Sequence, residues 1–165
     1  MNNHTFDIDA THTIAGTTLW NHLIGTPPPI TDLEGVNTRY ETIDKKIVFN
    51  TIQKQAIRDM HLEGRNYLRA AVLNPENSTQ KLTFATYHVP TFDLLTDEDK
   101  AHYDTAIMAN NELFYCYEPL RLWIAGVGTG ASVVRYGSLT IVKNAYGFAE
   151  EAAPSFSKEA VVELA

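Results

Sequence analysis

A chain of 165 residues with 44% hydrophobic and 20% charged side chains can bury one core and lies far from the polar, highly charged balance that prevents folding. A formal net charge of -7, from 20 acidic against 13 basic side chains, argues against a nucleic-acid partner held by phosphate neutralisation. A single cysteine rules out an internal disulfide, and no window approaches the ~20 apolar residues of a membrane-spanning helix.

Met1 to Ala10 is polar and acidic, without the basic start and apolar run of a signal peptide, which predicts a soluble protein made in a cytoplasm. Residues 1–40 are rich in Thr, His, Asn, Gly and Pro, and Pro27, Pro28 and Pro29 can donate no backbone hydrogen bond. They predict an extended N-terminal arm with Trp20 as an apolar plug, followed by a core over 41–147 and a tail over 148–165. Asp44 reads as the cap of an amphipathic helix through KKIVFNTIQKQAIRDMHLEG, because Phe49, Ile52, Ala56 and Met60 recur at helical spacing. Gly64 reads as its end or a kink, with helix formers continuing to Asn74-Pro75. Arg58, Arg65 and Arg69 form its solvated face.

KLTFATYHV alternates as a half-buried strand does, closed by Pro90. Thr96 and Asp99 make a capping pair that opens a second, longer helix. Along it Ala106, Ala109, Leu113, Cys116, Leu120 and Trp123 follow a three-four alternation, with a break expected near Pro119. Cys116 there reads as a buried, unreactive thiol. Ser132 to Tyr136 and Leu139 to Val142 read as one interrupted strand or a tight hairpin across Gly137, and KEAVVELA as a short terminal helix capped by Ser157. The fold class expected is α+β: a helical core of two or three helices with a small antiparallel β element and an extended N-terminal arm.

Chemistry-bearing patterns are sparse. GVGTG over 126–130 lacks the strand-to-helix context and the lysine of a phosphate loop, so it reads as a linker. His4 and His12 lie near Asp7 and Asp9, and His61, His88 and His102 are scattered, none at metal-ligand spacing. Asp97, Glu98, Asp99 and Asp104 are explained by a helix start, whose dipole favours negative charge. No catalytic residue, cofactor or metal is therefore expected. Interface candidates are Trp20, Pro27, Pro28, Pro29, Trp123, Val133, Tyr136, Leu139 and Ile141, since a wide apolar stripe and an unpaired strand both need a partner.

TIDKKIVFNTIQKQAIRDMHLEGRNYLRAAV resembles the opening helical pair of head-to-tail connector (adaptor) proteins of tailed bacteriophages, with LTDEDKAHYDTAIMANNELFYCYEPLRLW as the later helix. The resemblance spans Thr42 to Tyr146. It implies a noncatalytic, homo-oligomeric ring subunit of the virion, assembled in the host cytoplasm and joining portal and tail. DNA would pass through the ring without sequence recognition and no membrane would be involved. Two alternatives stand beside it: an enzyme or ligand-binding domain with a cleft lined by Tyr87, His88, Tyr115, Tyr117 and Trp123, and a tail-tube or tail-completion subunit, which needs more β structure.

Overall fold

The computed structural model describes residues 3–20, 37–43, 46–51, 54–79, 81–102, 118–146 and 156–157. In chain order the elements are β1 (His4–Asp9), β2 (His12–Thr17), β3 (Asn37–Ile43), β4 (Lys46–Thr51), α1 (Lys54–Leu73), β5 (Lys81–Thr86), α2 (Asp97–His102), β6 (Leu120–Ala125), β7 (Thr129–Tyr136) and β8 (Leu139–Tyr146). Six strands form one mixed sheet in the order β1-β2-β5-β6-β8-β7, and β3 and β4 form a separate antiparallel pair. β2, β5, β6 and β8 run parallel, flanked by antiparallel β1 at one edge and β7 at the other.

This overturns the expected helical core. Lys46–Thr51 is a strand, not the first turns of a helix: Ile47, Val48 and Phe49 are β-branched or aromatic neighbours that suit a pleated surface. The helix begins at Lys54 and runs through Gly64 without a break. Leu120–Ala125 is likewise a strand, placed between β5 and β8 where a continuous apolar run is what a parallel strand requires. The part of the expected arm between His4 and Thr17 forms a hairpin belonging to the sheet. The β element is therefore neither small nor purely antiparallel. Of the long second helix only Asp97–His102 is helical among the described residues, and Cys116 lies outside them. The strand expected over KLTFATYHV is present but ends at Thr86, and the β7–β8 hairpin turns across Gly137 as one of its two readings has it. Gly137 has a φ of 59°, the positive value such two-residue turns need at their first central position.

Parallel strands cannot be joined by a tight turn, and α1 supplies the crossover between β2 and β5. His61, Gly64, Leu68, Ala71 and Val72 make its buried stripe at three- and four-residue spacing. Leu68, Ala71 and Val72 join Ala15, Leu82, Phe84, Trp123, Leu139 and Ile141 in one core on the same side of the sheet. The ring of Phe84 meets that of Trp123 edge-on, with centroids 5.0 Å apart. Asn77 closes the helix by donating from Nδ2 to the Ala71 carbonyl at 2.7 Å.

Gly64 is needed for space. A Cβ there would stand 2.9 Å from Thr17 Oγ1 and 3.6 Å from the Leu19 Cα. Thr17 is β-branched and buried, so its hydroxyl cannot swing away freely. Gly64→Ala should therefore lower stability by about 1–2 kcal/mol in urea titrations despite the better helix propensity of alanine. Adding Thr17→Ala should recover most of that loss, and a stabilised Gly64→Ala single variant would contradict the packing described.

Candidate functional site

Among the described residues two places carry unusual chemistry, the first at the carboxyl ends of the parallel strands. Thr96 and Asp99 form the expected capping pair: the Thr96 N–H donates to Asp99 Oδ2 at 2.8 Å and the Asp99 N–H donates to Thr96 Oγ1 at 3.1 Å. Asp99 does more than cap. Its carboxylate pairs with Lys143 Nζ and accepts from the backbone N–H of Thr129 at 2.7 Å and from Thr129 Oγ1 at 3.0 Å. Lys143 Nζ also donates to the Thr129 carbonyl at 2.8 Å. Asp99 and Lys143 are 0% and 1% exposed, so this is a sealed cross-brace tying the start of α2 to β7 and β8. Burial alone would push the Asp99 carboxyl up, but the hydrogen bonds from Lys143, Thr129 and Thr96 outweigh it and hold the pKa below the ordinary carboxylate value.

The signal for Lys143 was present in its strand: it shares parity with Leu139, Ile141 and Ala145, all buried. A lysine on the apolar face of an amphipathic strand requires an anion, and Asp99 is that anion. The glycine-rich segment runs beside the brace. Gly126 N–H donates to the Thr86 carbonyl at 3.1 Å and Val127 N–H to the Tyr87 carbonyl at 2.7 Å, and Gly128 takes a φ of 95°. It joins strand β6 to strand β7 rather than opening a helix, so it lacks the architecture of a phosphate loop.

Also at this end, Trp123 Nε1 donates to Thr86 Oγ1 at 2.8 Å, and Thr86 Oγ1 donates to the His88 carbonyl at 2.8 Å. His61 of α1 hydrogen-bonds through Nδ1 to the Trp20 carbonyl, and the Trp20 ring lies 5.6 Å from that of His88. Of the cleft suggested by the sequence, Tyr87 is exposed, His88 and Trp123 are buried, and Tyr115 and Tyr117 lie outside the described residues. Among the described residues no group of three His, Cys, Asp or Glu side chains is placed to hold a metal, and no helix is long and apolar enough to cross a membrane.

The second place is the pair of sheet edges. All six residues of β1 are exposed, including Phe6 at 67% and Ile8 at 58%. At the opposite edge, Val133 of β7 is 56% exposed and Arg135 is exposed beside it. The β1–β2 turn is fixed by the Asp9 carboxylate, which accepts from Thr11 N–H at 2.6 Å and from Thr11 Oγ1 at 2.7 Å. Hydrogen bonds from Thr11, then from His12, hold the Asp9 carboxyl well below the usual carboxylate range.

Of the interface candidates, Val133 stands on an exposed edge strand. Tyr136 is partly buried and its hydroxyl donates to Asp93. Trp20 is partly buried against His88, whereas Trp123, Leu139 and Ile141 lie inside the core. Pro27, Pro28 and Pro29 lie outside the described residues. Sequence reasoning overlooked Phe6 and Ile8, whose alternation with Thr5, Asp7 and Asp9 is the pattern of an edge strand. No family model, curated protein or solved structure matches this chain.

Proposed function

We propose that the chain is a noncatalytic structural subunit that assembles with copies of itself in a virion. The observation that supports this reading is the form of the sheet: its two outermost strands lie at opposite ends and display Phe6, Ile8 and Val133 to solvent. Open strand edges bearing large apolar side chains are templates for pairing with another chain. The virion context comes from the sequence resemblance. Part of the stretch quoted for connector helices folds as strands, so a tail-tube or tail-completion subunit, which needs more β structure, is favoured over the connector variant. Light scattering across a hundredfold concentration range, with electron microscopy of the largest species, tests the proposal. Growth into a defined oligomer is expected. A chain that stays monomeric at the highest concentration would overturn the reading.

A second reading, a ligand-binding domain, is favoured by one observation. Among the described residues, Thr17 Oγ1 and Trp20 Nε1 are buried without a hydrogen-bond partner near the carboxyl ends of the parallel strands, where α/β sheets bind ligands. A thermal-shift screen of small metabolites separates the two. A ligand that raises the Tm of a monomeric protein would promote this reading over assembly.

A further inference from the structure

The two exposed edges match each other in direction, spacing, apolarity and charge. β1 is antiparallel to β2, β7 is antiparallel to β8, and β2 and β8 belong to the same parallel block. β1 and β7 therefore point the same way. Phe6 stands opposite Ile14 and Asp9 opposite His12, with the register shift between Asp7 and Asp9 leaving Ile8 out of the ladder. That bulge sets Phe6 and Asp9 two ladder positions apart on one face of the sheet. Val133 and Arg135 are also two positions apart, opposite Val142 and Thr140. Following the register across the sheet, from Phe6 through Ile14, Thr83, Leu122 and Thr140 to Arg135, places both pairs on the same face.

We infer that β1 of one copy adds to β7 of the next as a parallel strand over residues 131–135, with Phe6 beside Val133 and Asp9 beside Arg135. This deepens the assembly reading and rests on it. The occupant is a second copy because the two edges of this one chain supply both halves: an apolar residue followed by an anion on β1, and an apolar residue followed by a cation on β7. Two β1 strands pairing with each other would leave both Arg135 side chains unused and bring two acidic edges together, and like charges across a strand pair are unfavourable. The Asp9 carboxylate is already fixed and ionised by Thr11 and His12, so it meets Arg135 as a preformed anion. In this register the next copy is staggered by two residues, because Phe6 and Arg135 share a row within one copy. An even stagger preserves the two faces, and a sheet that closes on itself requires a stagger. The contact is head to tail, so it builds a ring where the rotation closes and a filament where it does not.

Cysteine pairing between two distinguishable chains tests the register, since adjacent strands bring Cα atoms into disulfide range. One chain carries Phe6→Cys with Cys116→Ser and the other Val133→Cys with Cys116→Ser. Oxidation of the mixture should give a linked species, and oxidation of either chain alone should give none. Dimers from the Phe6→Cys chain alone would mean that β1 pairs with itself, which overturns the inference. An oligomer that forms without the 6–133 link overturns this pairing and leaves the assembly reading standing, whereas a strict monomer overturns both. Arg135→Glu should weaken association at low salt by at least about tenfold. Should the cysteine chains fold poorly, hydrogen exchange of the wild-type protein above and below its association concentration decides. Amides of 4–9 and 131–135 should slow on assembly, and unchanged exchange in both would overturn the inference.

Discussion

Asp99→Ala is expected to destabilise the protein by about 3–5 kcal/mol, because removing one partner of a buried ion pair strands the other charge. Here the loss is wider than one pair. The Thr129 and Thr96 N–H groups lose their acceptor along with the Lys143 ammonium, which is left with the Thr129 carbonyl. Lys143→Met should cost less, since the Asp99 carboxylate keeps three donors from Thr129 and Thr96. The expected signature is a fall in Tm on the order of 10 °C for Asp99→Ala, a smaller fall for Lys143→Met, and a double variant well short of the sum. The pH dependence has a definite sign. The folded-state pKa of Asp99 lies below its unfolded value, so its contribution is complete above the ordinary value of 3.8 and disappears as pH falls through the folded value. In Lys143→Met the carboxyl loses its strongest donor, and acid unfolding should begin at higher pH than in the wild type. An acid transition unmoved by either substitution would show that the brace is not what titrates.

How much of this fold was legible depended on which side of each strand carries a hydrophobic signal. β5 and the β7–β8 hairpin were readable because Leu82 and Phe84 alternate with smaller residues and Gly137 marks the turn. The Thr96–Asp99 pair was readable because a capping box is a local motif. β2 was not, since the residues it buries toward α1 are Thr13, Ala15 and Thr17, too small and polar to register as a core stripe. Its neighbour β1 is exposed on every residue and reads as a polar arm. β6 failed for the opposite reason: Leu120, Leu122, Trp123 and Ala125 are all buried, and a run apolar on both faces has no period by which to tell strand from helix. The preceding stretch from 103 to 117 fits a helical period, and extending that period past Pro119 absorbed the strand. The candidate site was legible in halves. Asp99 was found through its motif and explained as a cap. Lys143 supplies the rest of the explanation, yet 44 residues separate the two, a distance no local pattern spans.

Trp123→Ala should also cost about 3–5 kcal/mol, and the conservative Trp123→Phe separates the two contributions the side chain makes. The indole is fully buried in the middle of the sheet, packed edge-on against Phe84, with its N–H donated to Thr86 Oγ1. Phenylalanine keeps most of the aromatic contact and removes the donor. Thr86 Oγ1 would then still donate to the His88 carbonyl but accept nothing, a loss of about 1–2 kcal/mol. Urea titrations should therefore place Trp123→Phe between the wild type and Trp123→Ala, with m unchanged for the phenylalanine variant. The substitution also bears on assembly. A side chain sealed inside its own subunit offers nothing to a neighbour, so Trp123→Phe should associate as the wild type does wherever it is folded. Val133→Asp, at the exposed edge, should leave the urea midpoint nearly unchanged and abolish association. The reverse pattern, normal assembly for Val133→Asp and a folded monomer for Trp123→Phe, would mean that subunits meet through the opened core of the sheet rather than along its edges.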